Sequence, residues 1–291
     1  MSINEFAEEL REIVLAELPD VEEIKVKRVL KNNSVAKLGM LLEDKRSNAS
    51  PTIYLEEFYN AYCGGMEIEA IAEKVVACYE EDCLKRKIDV SFMLAWEKVK
   101  PMVAYKLINK DRNRELLEQI PHRDVLDLAM VFFVAVEQYG GSILIYNSHC
   151  EMWKVGVEEL YEAAEENTPR ICPLRLQTMK ELLGLGDVFD EELEKAAPMY
   201  ILSNEKKVCG AAAFLYPESL KGIADRIESD FYILPSSIHE TIIFPSEEKE
   251  ETEWLTDMVR TVNETMVSAE EVLGDNVYFY SRESGELKLV A

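Results

Sequence analysis

The chain has 291 residues, of which 56 are acidic and 32 are basic, so its formal net charge is −24 at pH 7. Because 48% of the residues are hydrophobic, the composition excludes a disordered chain, a collagen-like repeat and a small disulfide-stapled scaffold. The excess of acid also disfavours general binding to nucleic acid or to anionic lipid. The composition therefore indicates an acidic globular protein with one large domain or two ordinary ones.

The sequence lacks the usual signals for export or membrane insertion. Its longest apolar stretch, residues 128–136, is much shorter than the roughly 20 residues that a membrane-spanning helix needs. The first residues are rich in glutamate, whereas a leader would begin with basic residues and an apolar block. Six cysteines without a Cys-x-x-Cys pair are typical of a reducing compartment. We expect a cytoplasmic protein with no membrane partner and no cofactor.

Residues 1–98 are predicted to form an N-terminal α+β lobe. Its first helix shows apolar residues at three- and four-residue spacing and ends at Pro19. Asn32 and Asn33 are typical of a tight turn between two strands, because asparagine tolerates left-handed backbone conformations. The predicted elements are a helix over 3–18, strands over 24–29, 35–42 and 51–55, and a helix over 67–84.

Residues 99–291 are predicted to form a C-terminal α+β lobe. Residues 125–136 are almost continuously apolar, which predicts a strand buried on both faces. Prolines within 168–173, followed by Gly184 and Gly186, predict a bend. The other predicted elements are strands over 103–108, 142–146, 231–234 and 241–244, helices over 112–119 and 251–263, and a hairpin over 277–290.

The order strand, turn, strand, helix occurs twice in this lobe, at 126–166 and at 199–227, where 204–207 makes the turn. One interpretation is an internal ββα repeat, and the other is that both segments use a common way of covering a sheet face. The predicted fold class is α+β, with antiparallel or mixed sheets built from β-hairpin-plus-helix units.

Three segments resemble a bacterial family, seen in Firmicutes, that is defined as a domain of unknown function. They are 121–128 (PHRDVLDL), 167–173 (NTPRICP) and 199–237 (MYILSNEKKVCGAAAFLYP, then DFYILPSS). The resemblance extends over nearly the whole chain. It implies a bacterial cytosolic protein, and it brings with it no activity, cofactor or catalytic residue.

The three histidines, His122, His149 and His239, are candidate metal ligands, since each lies near a predicted strand end with an acid within two residues. They match no HExxH or HxH pattern, so they would bind a metal only if the fold brought them together. The alternative is that each histidine hydrogen-bonds to nearby backbone. We expect no metal site.

His239 is also the centre of a candidate hydrolase site, with Ser237 or Glu240 assisting it. An activated serine needs an imidazole within hydrogen-bond reach and an acid that orients the ring. No GxSxG elbow is present, so the pattern favours a polar corner between two strands over a hydrolase site. A Cys150–His149 pair is a weaker candidate, because adjacent side chains on an extended chain point apart.

Charge is distributed unevenly along the chain. Residues 85–123 contain ten basic and five acidic side chains, whereas residues 240–275 contain two basic and eleven acidic ones. Such opposite patches can orient a partner, although solvated helix faces give the same pattern. Our leading hypothesis is a non-enzymatic interaction or regulatory protein that binds a protein partner or a second copy. The alternatives are a hydrolase or metal-dependent enzyme centred on His239 and an acidic nucleic-acid mimic.

Overall fold

The fold is α+β, as predicted, and the sheets in the described part of the chain are all antiparallel. The computed structural model divides into two compact units, Met1–Ser91 and Phe92–Ala291. It describes residues 1–47, 51–82, 89–136, 141–183, 199–235, 237–246 and 252–290.

Unit 1 is a three-stranded sheet, in the order β1-β2-β3, combined with three helices. The predicted helices and hairpin are confirmed, and Asn33 has the left-handed conformation, with φ 59°, that the turn requires. Ser2 caps the first helix by accepting a hydrogen bond from the N–H of Glu5. The elements are α1 (Ile3–Glu17), β1 (Val21–Leu30), β2 (Ala36–Asp44), β3 (Thr52–Tyr54), α2 (Glu56–Cys63) and α3 (Ile68–Asp82).

The core of unit 1 joins the helices to the sheet. Leu10 of α1, Met40 of β2 and Val75 of α3 are fully buried in one cluster. The apolar side of α1 is therefore buried in this cluster, and each fully buried apolar side chain contributes about 1.5–3 kcal/mol to the free energy of folding.

Asp44 places a buried carboxylate at the end of β2. Its side chain is 0% exposed and lies 2.6 Å from Nη2 of Arg46. The hydroxyl of Tyr79 donates a second hydrogen bond to the same carboxylate. The hydrogen bonds from Arg46 hold the pKa of Asp44 far below its usual range, against the opposing effect of burial.

Unit 2 contains a four-stranded and a six-stranded sheet. In the smaller sheet the central strand β6 pairs along one edge with β4, while β5 and β7 share its other edge. The larger sheet has the order β13-β12-β10-β11-β9-β8. The strands are β4 (Val103–Asn109), β5 (His122–Val125), β6 (Leu128–Val136), β7 (Gly141–Leu144), β8 (Leu174–Thr178), β9 (Tyr200–Asn204), β10 (Asp230–Leu234), β11 (Thr241–Ser246), β12 (Tyr278–Tyr280) and β13 (Leu287–Leu289).

The main core of unit 2 contains side chains from both sheets, among them Phe132 of β6 and Phe231 of β10. The opposite side of the four-stranded sheet, here called its second face, carries Ala129, Val131, Phe133 and Ala135 of β6. The helices are α4 (Trp96–Val99), α5 (Arg114–Leu117), α6 (Asn147–Trp153), α7 (Val157–Ile171), α8 (Met179–Leu183), α9 (Ser219–Ile227) and α10 (Glu253–Thr265).

Two predicted elements of unit 2 differ in the structure. The strand predicted over 125–136 is confirmed as β6 from Leu128 onwards. Its first residues instead belong to the turn between β5 and β6, where Leu126 takes the left-handed conformation, with φ 54°, and reverses the chain. The helix predicted over 112–119 is shorter, since a 3₁₀ turn over Asp111–Asn113 precedes α5.

The ββα repeat is not confirmed. In the second segment, β9 is followed by a 3₁₀ helix over Gly210–Leu215, where a strand was predicted. Gly210–Phe214 are all buried, so this helical turn is packed on every side. Gly210 itself touches backbone, because a Cβ there would lie 2.6 Å from both the nitrogen of Asn204 and the carbonyl oxygen of His239.

The prediction of a bend over 168–173 is wrong for residues 168–171, which are helical. Helix α7 continues to Ile171 with Pro169 inside it. The buried hydroxyl of Thr168 donates to the carbonyl of Ala164 at 2.5 Å and accepts the N–H of Tyr105 at 3.1 Å, which fastens this turn to β4. Residues 184–186, the other part of that prediction, lie outside the described residues.

We expect Asp44→Ala to destabilise unit 1 by about 2 kcal/mol, as for other charge-assisted hydrogen bonds. Because folding lowers the pKa of Asp44, this stabilisation is present above the unfolded value of about 4 and disappears as the pH falls below it. Faster hydrogen exchange in peptides from Met1–Ser91 would report the loss at pH 7. Asp20→Ala is the control, because Asp20 binds the same arginine but is 55% exposed. Equal effects of the two variants would contradict this account.

We expect Gly210→Ala to destabilise unit 2 by about 1–3 kcal/mol, because the methyl group would overlap backbone atoms. Gly222→Ala is the matched control. An added Cβ at Gly222 meets nothing within 4 Å, and alanine favours the helix α9 by up to about 1 kcal/mol. The three tryptophans all lie in unit 2, so denaturant unfolding followed by their fluorescence measures both changes. A Gly210→Ala protein as stable as the parent would refute the close packing.

Candidate functional site

His122 and His149 each bind nearby backbone. Nδ1 of His122, on β5, lies 3.1 Å from the carbonyl oxygen of Ile120. Nδ1 of His149, on α6, accepts the N–H of Tyr146 at 3.1 Å, and its ring stacks on Trp153 with the ring centroids 5.4 Å apart. Burial lowers the pKa of His149. Both imidazoles therefore support the local chain.

His239, which precedes β11, supports a more distant segment. Its Nδ1 accepts the N–H of Cys209 at 3.2 Å, and its Nε2 lies 3.5 Å from Oε1 of Glu271. Its carbonyl oxygen accepts the hydroxyl of Ser203 at 2.8 Å. The ring and the backbone of His239 together fix the chain around Cys209 against the end of β9.

The predicted reactive centres are not assembled by these contacts. Within the described residues, no group of three or more His, Cys, Asp or Glu side chains is placed to hold a metal ion, so the three histidines do not form a ligand set. Oγ of Ser237 accepts the backbone N–H of His239 at 3.0 Å and makes no hydrogen bond to the imidazole in this part of the chain. The Ser237 N–H donates to the carbonyl of Glu240 at 3.2 Å, as expected of a polar corner.

Several basic residues of segment 85–123 form ion pairs within the chain. Nη2 of Arg112, from the basic segment, lies 3.0 Å from Oδ2 of Asp275, from the acidic segment. Lys110 binds Asp124 at 2.6 Å, and Arg123 lies 3.5 Å from Glu158. Several charges that suggested a docking patch therefore already have partners.

A cavity of about 400 Å³, here called the Phe133 pocket, opens on the second face of the four-stranded sheet. Paired residues of antiparallel strands share a face, so Ala135 of β6 and Ser142 of β7 lie side by side in its floor. The end of α7 forms one wall, and the turn between β9 and the 3₁₀ helix forms another. The lining residues are Lys106, Phe133, Ala135, Gly141, Ser142, Ile171, Cys172, Lys206, Val208 and Cys209.

The wall formed by residues 204–209, here called the 204–209 turn, is held by hydrogen bonds at both ends. Nδ2 of Asn204, which is 1% exposed, donates to the carbonyl of Val208 at 2.8 Å. At the other end, His239 accepts the N–H of Cys209. Lys207 and Cys209 both have left-handed conformations, with φ 53° and 52°, which cost free energy in residues other than glycine. The turn is therefore preorganised, and His239 is one of its supports.

The thiols of the pocket are poor nucleophiles. Burial raises the pKa of Cys209, against the opposing effect of the nearby Lys106 ammonium, so the thiol stays protonated at neutral pH. Cys172 is 8% exposed. The pocket is suited to binding a molecule more than to attacking it.

Several residues of the Phe133 pocket belong to features of the sequence analysis, but the sequence does not show that they lie close together. Lys106 belongs to the basic segment, the cysteines indicate only a reducing compartment, and 204–207 is predicted as a turn. What was missed is that the even-numbered residues of β6 enter the main core while Phe133 and Ala135 face the pocket. Side chains alternate between the two faces along β4 and β7 as well, so the residues of these strands that face the pocket could be identified once the strand pairing was known.

Comparison with known proteins places the chain in a family. Among the residues that the structure describes, none of the helices combines the length and apolar character needed to cross a bilayer. Searches found no matching curated protein and no matching solved structure. A protein-family model described as a family of unknown function, DUF5688, matches residues 3–282. The chain therefore belongs to the DUF5688 family.

Proposed function

We propose that this protein is a non-enzymatic binding protein that takes up a small, largely apolar molecule in the Phe133 pocket. The observation that carries the proposal is Phe133 itself. All residues of β6 except Phe133 are buried, whereas Phe133 is only partly buried and its side chain lines the cavity. An aromatic ring that remains partly open in the central strand of a sheet offers a surface for an apolar ligand.

The size and lining of the pocket support this function. Its volume of about 400 Å³ lies within the range of about 300–1,000 Å³ typical of small-molecule sites. Ala135, Ile171 and Val208 add apolar surface around the phenyl ring, while Ser142 supplies a hydroxyl. Mostly apolar walls with a few polar groups are the usual composition of such sites.

The chemistry of the pocket favours binding over catalysis. Within the described part of the chain, its lining includes no histidine, aspartate or glutamate that could act as a general base. The nearby imidazole of His239 accepts a backbone N–H, so it holds the turn and is not directed at a nucleophile. A protein partner or second copy, a cytoplasmic setting and a bacterial source remain predictions from the sequence, and the pocket adds no support to them.

The test is titration with N-phenyl-1-naphthylamine, a neutral dye whose fluorescence rises in apolar surroundings. We expect saturable binding at one site per chain. Ser142→Trp should weaken it at least tenfold, because the indole would occupy the pocket from an exposed strand position that suits aromatic residues. Ser284→Trp, at an exposed position outside the lining residues, is the control and should leave the affinity unchanged.

Equal affinities for the parent and Ser142→Trp proteins would place the dye elsewhere and overturn the proposal, as would an absence of saturable binding. The melting temperature of each variant should match that of the parent. If Ser142→Trp melts earlier, Gly141→Val is the second variant, since it also adds bulk at the pocket edge.

A further inference from the structure

We propose that the ligand of the Phe133 pocket is a small organic monoanion, a carboxylate on an apolar body, whose charge is bound by the ammonium group of Lys106. This inference rests on the proposed function and specifies the chemical class of the ligand. It depends on the sign of the charge in the pocket, on the position of Lys106 and on the character of the remaining lining.

The described lining of the Phe133 pocket carries lysines in a strongly acidic protein. Among the residues that the structure describes, its lining includes Lys106 and Lys206 and no acidic residue, although the chain has 56 acidic residues against 32 basic ones. Two other cavities of similar size contain both signs. One is lined by Glu218 and Arg226 among others, and the other by Arg112, Arg260, Glu264 and Asp275 among others.

Lys106 lies within the apolar second face. Along β4, Tyr105 and Leu107 enter the main core, so Lys106 points to the other side, where it pairs across the sheet with Val131. Its side chain is half-buried and makes no ion pair or hydrogen bond with the residues that the structure describes. Removing an ammonium from water without a partner costs free energy. A bound carboxylate would supply the missing partner.

The lining selects a monoanion with an apolar body over a phosphate. The cations of the described lining are lysines, and this lining has no arginine that could form the two parallel hydrogen bonds that favour phosphate recognition. The floor beside Lys106 consists of Phe133 and Ala135, which offer contact to hydrocarbon but no hydrogen bond. The carboxylate would bind Lys106, and its apolar body would lie on the ring of Phe133.

The experiment compares two dyes that differ by one charged group. N-phenyl-1-naphthylamine is neutral, and 1-anilinonaphthalene-8-sulfonate carries a sulfonate on the same ring system. Lys106→Met should weaken binding of the sulfonate about tenfold or more, the order expected for a charge-assisted contact, and should leave binding of the neutral dye unchanged or stronger. Lys98→Met is the control, because it makes the same change in net charge at an exposed position outside the pocket.

Competition identifies the acidic group. Octanoate should displace the neutral dye at concentrations at which octanol does not, and the advantage should shrink as salt is raised. If Lys106→Met lowers the melting temperature, Lys206→Met replaces it, with a smaller loss of sulfonate binding expected at this more exposed position.

The outcomes separate the two proposals. Binding of the neutral dye in the pocket, combined with equal effects of Lys106→Met and Lys98→Met on the sulfonate, would overturn the anion inference and leave the binding function standing. Octanol competing as well as octanoate would do the same. Failure of both dyes to bind at the pocket would overturn both proposals.

Discussion

A strand with apolar side chains on both faces must be covered twice, and the arrangement of unit 2 follows from that requirement. One face of β6 enters the core that contains residues of both sheets, including Phe231. The second face is covered in two pieces. Leu117 and Ile120 lie over one end, and Ile171 and Cys172 lie near the other. Small residues such as Ala135 leave space beside the second piece, so the pocket results from incomplete cover of a doubly apolar strand.

The polar residues around the pocket act mainly on its wall. The hydroxyl of Ser203 donates to the carbonyl of His239, and the ring of His239 accepts the N–H of Cys209. Gly210 packs against the backbone of both Asn204 and His239. Because the chain around Cys209 holds a conformation that is unfavourable for a thiol-bearing residue, these contacts must supply the compensating free energy. The scarce imidazole of His239 thus contributes to the shape of a binding surface without touching the space inside it.

Helices and turns whose formation depends on neighbouring residues could be predicted from the sequence. The spacing of Phe6, Leu10 and Val14 predicts α1, and Asn33 predicts the first hairpin. Prediction failed where packing decides the structure. A left-handed leucine, Leu126, has no sequence signature. Ala211–Ala213 lie in a buried 3₁₀ turn that starts at Gly210, where a side chain would meet backbone. The pocket was beyond prediction, since Lys106 and Cys209 meet only through strand pairing that a single sequence does not specify.

The side-chain amide of Asn204 restricts the length of the loop between β9 and the 3₁₀ helix. It reaches four residues along the chain to Val208, so the spacing between β9 and the 3₁₀ helix is set by one rigid span. An insertion within residues 205–207 would leave both sheets intact, yet it would detach Val208 from Asn204 and carry Lys206 away from the cavity. Relatives of this chain that differ in the length of this loop should therefore share the scaffold and bind different molecules.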